Sequence, residues 1–160
     1  MMGSGVFNSC LIKVIIKIIL AVSNCKKYTK NRLANALFKN NRGIEAIREA
    51  PVVIVACAEM GKSGIYEGSP VPDDVDWFMF DIGIAVEHIA LAACALGLGT
   101  LIIGAFDQEK AKSILKVPDG YHVVSITPLG YPEKQPMPRP RKPTSEIVFF
   151  NKFGNSGVNK

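Results

Sequence analysis

The chain has 160 residues, of which 48% are hydrophobic and 8% aromatic, with a formal net charge of +5. Those values suit one globular domain with a real core, not a low-complexity or disordered chain. The charge is uneven: residues 1–50 carry nine Lys/Arg against two Glu, whereas residues 51–160 carry ten against twelve Asp/Glu.

The N-terminal excess is concentrated in Lys26, Lys27, Lys30 and Arg32. With only Tyr28 interleaved, it reads as a solvated helix face and not as a nucleic-acid footprint, so no nucleic-acid partner is expected. The four cysteines, Cys10, Cys25, Cys57 and Cys94, form no C-x-x-C pair. The two histidines, His88 and His122, lie apart in sequence, and no metal site is expected. Unpaired, mostly apolar-flanked cysteines fit a reducing cytoplasm.

Residues 1–27 form an atypical apolar and basic segment, the 28–154 stretch a single domain, and 155–160 a tail. Leu11 to Val22 is apolar but short for a membrane span, and Lys13 and Lys17 interrupt it. The two lysines share one helix face, which allows an interfacial helix; a poorly specified start is the simpler reading, and no membrane is expected. Between Tyr28 and Ala50, the residues Leu33, Ala34, Leu37, Phe38, Ile44 and Ile47 recur at helical spacing, with Gly43 as a break. Pro51 punctuates, and Val52 to Ala58 is a β-branched apolar run that predicts a strand covered on both faces. Glu59 to Pro72, with three glycines and two prolines, is a loop.

Asp73 and Asp74 are placed to cap the next element, a long helix within residues 76–98. From Ile82 to Leu98 only Glu87 and His88 are clearly polar. A helix apolar on nearly every side must be covered on nearly every side, by its own domain or by a second subunit. A Gly-Leu-Gly exit leads to a short strand, Thr100 to Ile103, and then to the glycine loop Ile103-Gly104-Ala105-Phe106-Asp107. There, exposed backbone amides beside a glycine let a flat ligand approach closely. Asp107 opens another helix, anchored by Ala111, Ile114 and Leu115. Pro118-Asp119-Gly120 is a turn, and Val123 to Leu129 is a third apolar strand. A proline-rich arm, 132–143, precedes Ile147-Val148-Phe149-Phe150, a segment able to add a strand, including to a partner's sheet. Alternating helices and strands point to an α/β sandwich.

Four blocks in this order resemble the nitroreductase family of flavin enzymes. They are EAPVVIVACA (49–58), DWFMFDIGIAVEHIALAACALGLGTLIIGAFD (76–107), PDGYHVVSITPLGYP (118–132) and RPRKPTSEIV (139–148). The resemblance implies an α+β, three-layer sandwich, shortened at its N-terminus, that forms a homodimer through the 76–98 helix. It also implies FMN at the dimer interface, NAD(P)H as electron donor, and a nitroaromatic, quinone or similar small molecule as acceptor. Carried over by position, Ile103, Gly104 and Ala105 line the flavin ring, Arg139 and Arg141 contact the FMN phosphate, and Tyr66 falls in the substrate pocket. The family's N-terminal Arg-Ser-x-Arg-type motif and its Pro-Ser/Asn-Gln-Pro stretch are not matched in this sequence. That departure keeps open a second reading, a non-catalytic dimerising remnant that no longer retains flavin.

Overall fold

A computed structural model describes residues 18–23, 27–71, 75–134 and 137–156. A four-stranded sheet runs β1 (Ile18–Ser23), β2 (Val52–Glu59), β6 (Tyr121–Gly130), β5 (Gly99–Thr100) in spatial order, and each neighbouring pair is antiparallel. The helices are α1 (Lys27–Ala34), α2 (Gly43–Glu49), α3 (Trp77–Ala95), α4 (Gln108–Leu115) and α5 (Thr144–Ile147). A small hairpin, β3 (Ile65–Tyr66) and β4 (Ser69–Pro70), interrupts the 59–72 loop.

The sheet is the middle of three layers. On one face, Val53, Val55 and Cys57 of β2 and Val123 and Ile126 of β6 pack with Leu33, Ala34, Ile47 and Ala111 from α1, α2 and α4. On the other, Ala56 and Ala58 of β2 meet Phe78, Ile82 and Val86 of α3. Helices on both sides explain the unbroken apolar run of β2, although the sheet is antiparallel. A register shift between Ala56 and Cys57 leaves Val124 without a partner on β2. That bulge puts Val123 and Ile126 on one face and Val124 on the other.

The two layers differ in strength. Among the described residues the first core cluster holds twelve buried side chains, whereas the second holds five, two of them alanines. At about 1.5–3 kcal/mol for each large apolar side chain buried, α3 is the less firmly held element. Its inward stripe is Phe78, Ile82, Val86 and Ala93, and Met79, Phe80 and Leu91 stay exposed. The helix is long and apolar enough to cross a membrane by length and composition alone, but this stripe lies on the sheet. The chain by itself therefore does not supply the all-round cover that the α3 sequence demands.

Three local expectations change. The helical option for Leu11 to Val22 fails over 18–23, which pair with β2 from Ile18↔Cys57 to Ser23↔Val52; Lys13 and Lys17 lie outside the described residues. The sheet thus begins before residue 28. Lys30 is not on a solvated face: it is buried, and its Nζ donates to the Ala50 carbonyl at 2.5 Å, capping the end of α2. Burial, aided by the nearby Lys27 charge, lowers the Lys30 pKa. Finally, Ile147 to Phe150 is not a strand. Its start is the last residue of α5, and bends follow, with Phe150 N–H donating to Asn155 O at 2.7 Å. Asp73 and Asp74 lie outside the described residues.

Cys57 gives a test of this packing. It is fully buried, and burial pushes its thiol from 9.0 up to about 11. Between those values the unfolded chain releases a proton that the folded chain keeps, so stability falls as pH rises. Two pKa units correspond to about 3 kcal/mol at most. Urea unfolding of the parent and Cys57→Ala at pH 8 and 10.5 should show the parent losing more stability over that interval. Parallel pH profiles would remove Cys57 as the cause.

Candidate flavin site

The expected loop is clamped at both ends. At its start Ile103 and Ile126 exchange two backbone hydrogen bonds, each 3.0 Å. At its end Asp107 N–H donates to Ala36 O at 2.8 Å, and the Asp107 carboxylate accepts from Lys110 N–H at 2.9 Å to cap α4. Phe106 is buried beside Leu37 in the larger core. With its amide oriented so that Nε2 donates to Val123 O and Oε1 accepts from Val123 N–H, both at 2.7 Å, Gln108 ties α4 to β6.

Of the three loop residues singled out, Ile103 takes a different part from its neighbours. It is 3% exposed, and its side chain lies against Gly43, where a Cβ would come within 2.4 Å of Ile103 Cδ1. Its N–H is already spent on Ile126. Ile103 therefore anchors the loop, and the amide donors left for a ligand are those of Gly104 and Ala105. Both residues are exposed, and neither N–H has a hydrogen-bond partner among the described residues.

Gly104 carries the sharpest information. Its φ is not in the left-handed region, and a Cβ there would meet nothing within 4 Å. The chain's own backbone and packing do not require glycine at this position. The opposite holds at Gly43, which the core needs bare. A glycine with open space above it, its own N–H and that of Ala105 unspent, leaves room for a flat, hydrogen-bond-accepting group to approach.

Sequence reasoning missed Asn41. Its Nδ2 donates to Ala105 O at 3.2 Å, and its Oδ1 accepts from Gly43 N–H at 2.8 Å. The side chain links the turn before α2 to the glycine loop. The signal was present: Asn-x-Gly at 41–43 is an Asx-type turn, although nothing in the sequence says which loop the free amide will reach.

The remaining expected residues stand apart from the loop in the bonding pattern. Arg139 and Arg141 sit on the exposed arm, and no hydrogen bond or ion pair among the described residues ties either to the glycine loop. Tyr66, 71% exposed, projects from the β3–β4 hairpin. A surface concavity of about 750 Å³ lies elsewhere, along Ala50, Pro51, Cys94, Leu98, Gly130 and Tyr131. None of the six expected site residues lines it. Its lining also includes Glu49, Thr100 and Lys134, so it is not wholly apolar, and neither Gly104 nor Ala105 reaches it.

The layered α+β sheet with its clamped glycine loop is the framework of a flavin-oxidoreductase fold. The sequence model of the nitroreductase family matches residues 16–131, and this chain belongs to that family. A nitroreductase family protein from Clostridium novyi NT is 33% identical and superposes with a TM-score of 0.63, over 89% of this chain and 73% of that one. An FMN-dependent nitroreductase from Clostridium difficile R20291 has a TM-score of 0.68 at 24% identity, over 85% and 75% of the two chains, a likeness of fold. An NADPH-flavin oxidoreductase of Vibrio harveyi is 32% identical over 75 residues, 46% of this chain and 31% of its own length. The chain spans about half the length of two curated relatives, from Methanothermobacter thermautotrophicus (44%) and Archaeoglobus fulgidus (50%). The family match ends before the arm that carries Arg139 and Arg141.

Proposed function

We propose that this chain is an FMN-dependent NAD(P)H oxidoreductase of the cytoplasm, acting as a homodimer through α3 on a nitroaromatic, quinone or similar acceptor. The observation that carries the reading is the open space at Gly104 with the unspent Gly104 and Ala105 amides. FMN, when bound, supplies a two-electron relay between NAD(P)H and the acceptor.

The residues present fit such a group. The Gly104 and Ala105 N–H groups are fixed donors for a ring edge that gains negative charge on reduction, and their orientation is set before any ligand arrives. Ile103, Asn41 and Asp107 hold that orientation through the bonds described above. Arg139 and Arg141 offer planar, permanently charged donors for the phosphate. Tyr66 offers an exposed ring to the acceptor. No side chain has to act as a nucleophile, because the protein's work is to bind, orient and exclude water.

The direct test is retention. The chain is purified, mixed with FMN, freed of excess and read by flavin absorbance, then assayed for NAD(P)H oxidation. Stoichiometric flavin with turnover supports the reading. No retained flavin from a folded protein favours the non-catalytic remnant, a reading that the unmatched N-terminal motifs motivate. Within the binding-competent case, replacing both Arg139 and Arg141 by Ala should weaken FMN at least tenfold, since a charge-assisted hydrogen bond contributes about 1.5–3 kcal/mol. Unchanged affinity would remove both residues from the site.

A further inference from the structure

Asp81 is a carboxylate on a helix that is otherwise almost wholly apolar, and it has a specific partner. Ser63 Oγ donates to Asp81 Oδ2 at 2.5 Å, joining the 59–72 loop to α3 across eighteen residues of chain. The next residue makes an independent contact. Gly64 has φ +71, and a Cβ built there would lie 2.4 Å from Trp77 Cδ1, so its bare backbone rests on the indole edge. Trp77 is in turn buttressed edge-to-face by Phe80, with ring centroids 5.9 Å apart. The hairpin closes on a tight turn: Glu67 and Gly68 both have positive φ, as a two-residue turn requires, and Val71 N–H donates to Gly64 O at 2.7 Å.

We propose that Ser63 and Asp81 are positioning residues that lock the β3–β4 hairpin to the first turns of α3 and so fix Tyr66 as a platform for a planar aromatic acceptor. The acceptor role rests on the oxidoreductase reading above; the lock does not. A two-stranded hairpin is marginal alone in water, so its placement depends on these two contacts. The polar contact sets its position along α3, and the Gly64–Trp77 contact sets its depth. Tyr66, 71% exposed on the hairpin so held, presents a free ring face, a chemistry suited to stacking a flat ring.

The test uses the full chain and menadione as a planar quinone probe. Trp77 is the only tryptophan, so saturable quenching of its emission reads quinone binding without any need for turnover. Ser63→Ala should speed hydrogen exchange across 60–71 and weaken menadione roughly tenfold, the scale of one lost charge-assisted bond. Ser63→Thr, which keeps the hydroxyl, should restore both. Tyr66→Ala should weaken menadione similarly, and the double variant should lose little more than either single one, because the two act through one contact. Retained FMN, measured in parallel, should be the same in the parent and in Ser63→Ala.

Faster exchange with unchanged quinone affinity overturns the positioning role. So does an additive double variant, or a parent that shows no saturable quenching. Unchanged exchange overturns the lock itself. A chain that retains no flavin but passes the quenching and exchange tests sinks the oxidoreductase reading and the acceptor role with it, and leaves the lock and its ring platform standing.

Discussion

Gly104→Val is expected to cut FMN affinity at least a hundredfold while leaving the folded chain as stable as before. Space and backbone both allow the substitution: a Cβ at 104 meets no protein atom within 4 Å, and the residue does not use the left-handed region. An exposed replacement of this kind usually changes stability by less than about 0.5 kcal/mol, and loss of glycine's freedom in the unfolded chain offsets part of any cost. A bound ring is affected differently. The added methyl groups fill the space that the ring needs and hold it off the Gly104 and Ala105 donors. Two such donors at about 1 kcal/mol each, with the lost ring contact, reach the 3 kcal/mol that a hundredfold requires. Flavin titration and thermal melting on the same preparation check both halves. Full affinity would mean that the loop is an ordinary strand-to-helix turn, and a fall in stability would mean that the open space is not open.

Leu91→Glu is the second large effect, and it tests the proposed dimer. Leu91 is 59% exposed and shares one face of α3 with Phe80, Gly83 and Ile84, where Glu87 and His88 are the polar members. It belongs to neither core cluster, so the folded protomer should tolerate the change. In a two-fold interface each substitution occurs twice, and burying two carboxylates against a partner costs several kcal/mol. Sedimentation should therefore show a dimer in the parent and mostly monomer in the variant at micromolar concentration. If flavin is held between subunits, retained FMN should fall with the dimer. An unchanged dimer would place the interface on another surface. Loss of the dimer with full flavin retention would place the cofactor within one protomer.

Much of the fold was legible because its signals are local. Val52–Glu59 and Tyr121–Gly130 announce themselves as apolar runs closed by proline or glycine, and Asp107 caps α4 as its position in sequence suggests. The misreadings share a cause: the deciding partner lies far away in sequence. Residues 18–23 carry no signal that separates strand from helix until β2 is there to pair with them. Ile147 to Phe150 has strand composition, but no described strand lies alongside to receive it, and a short helix after Pro143 takes its start. Lys30 looked solvated because charge is a prior for exposure, whereas the Ala50 carbonyl that draws it inward belongs to the end of another helix.

The glycine loop follows its strand as the sequence suggests, but its three residues are not alike in the structure. Its sequence shows a small residue among apolar ones, which suits close approach of a ligand. It does not show that Ile103 is bridged to Ile126 and turned into the core, so that only two of the three amides remain. The turn at Asn41 was readable, but not the carbonyl, sixty-four residues downstream, that its side chain holds.

The strand order has a practical corollary for handling the protein. β1 is an outer strand, and its six residues, IILAVS, contain neither a charge nor a proline. Among the described residues nothing pairs with its far side, so a row of peptide groups is left able to zip onto another chain. Such a strip recruits like strips, and recruitment grows with concentration whatever the strength of the core. Yield in solution should then be governed by crowding during expression more than by thermal resistance. A lysine placed at Leu20 is the natural gatekeeper: it should raise the soluble fraction more than any change that tightens the interior.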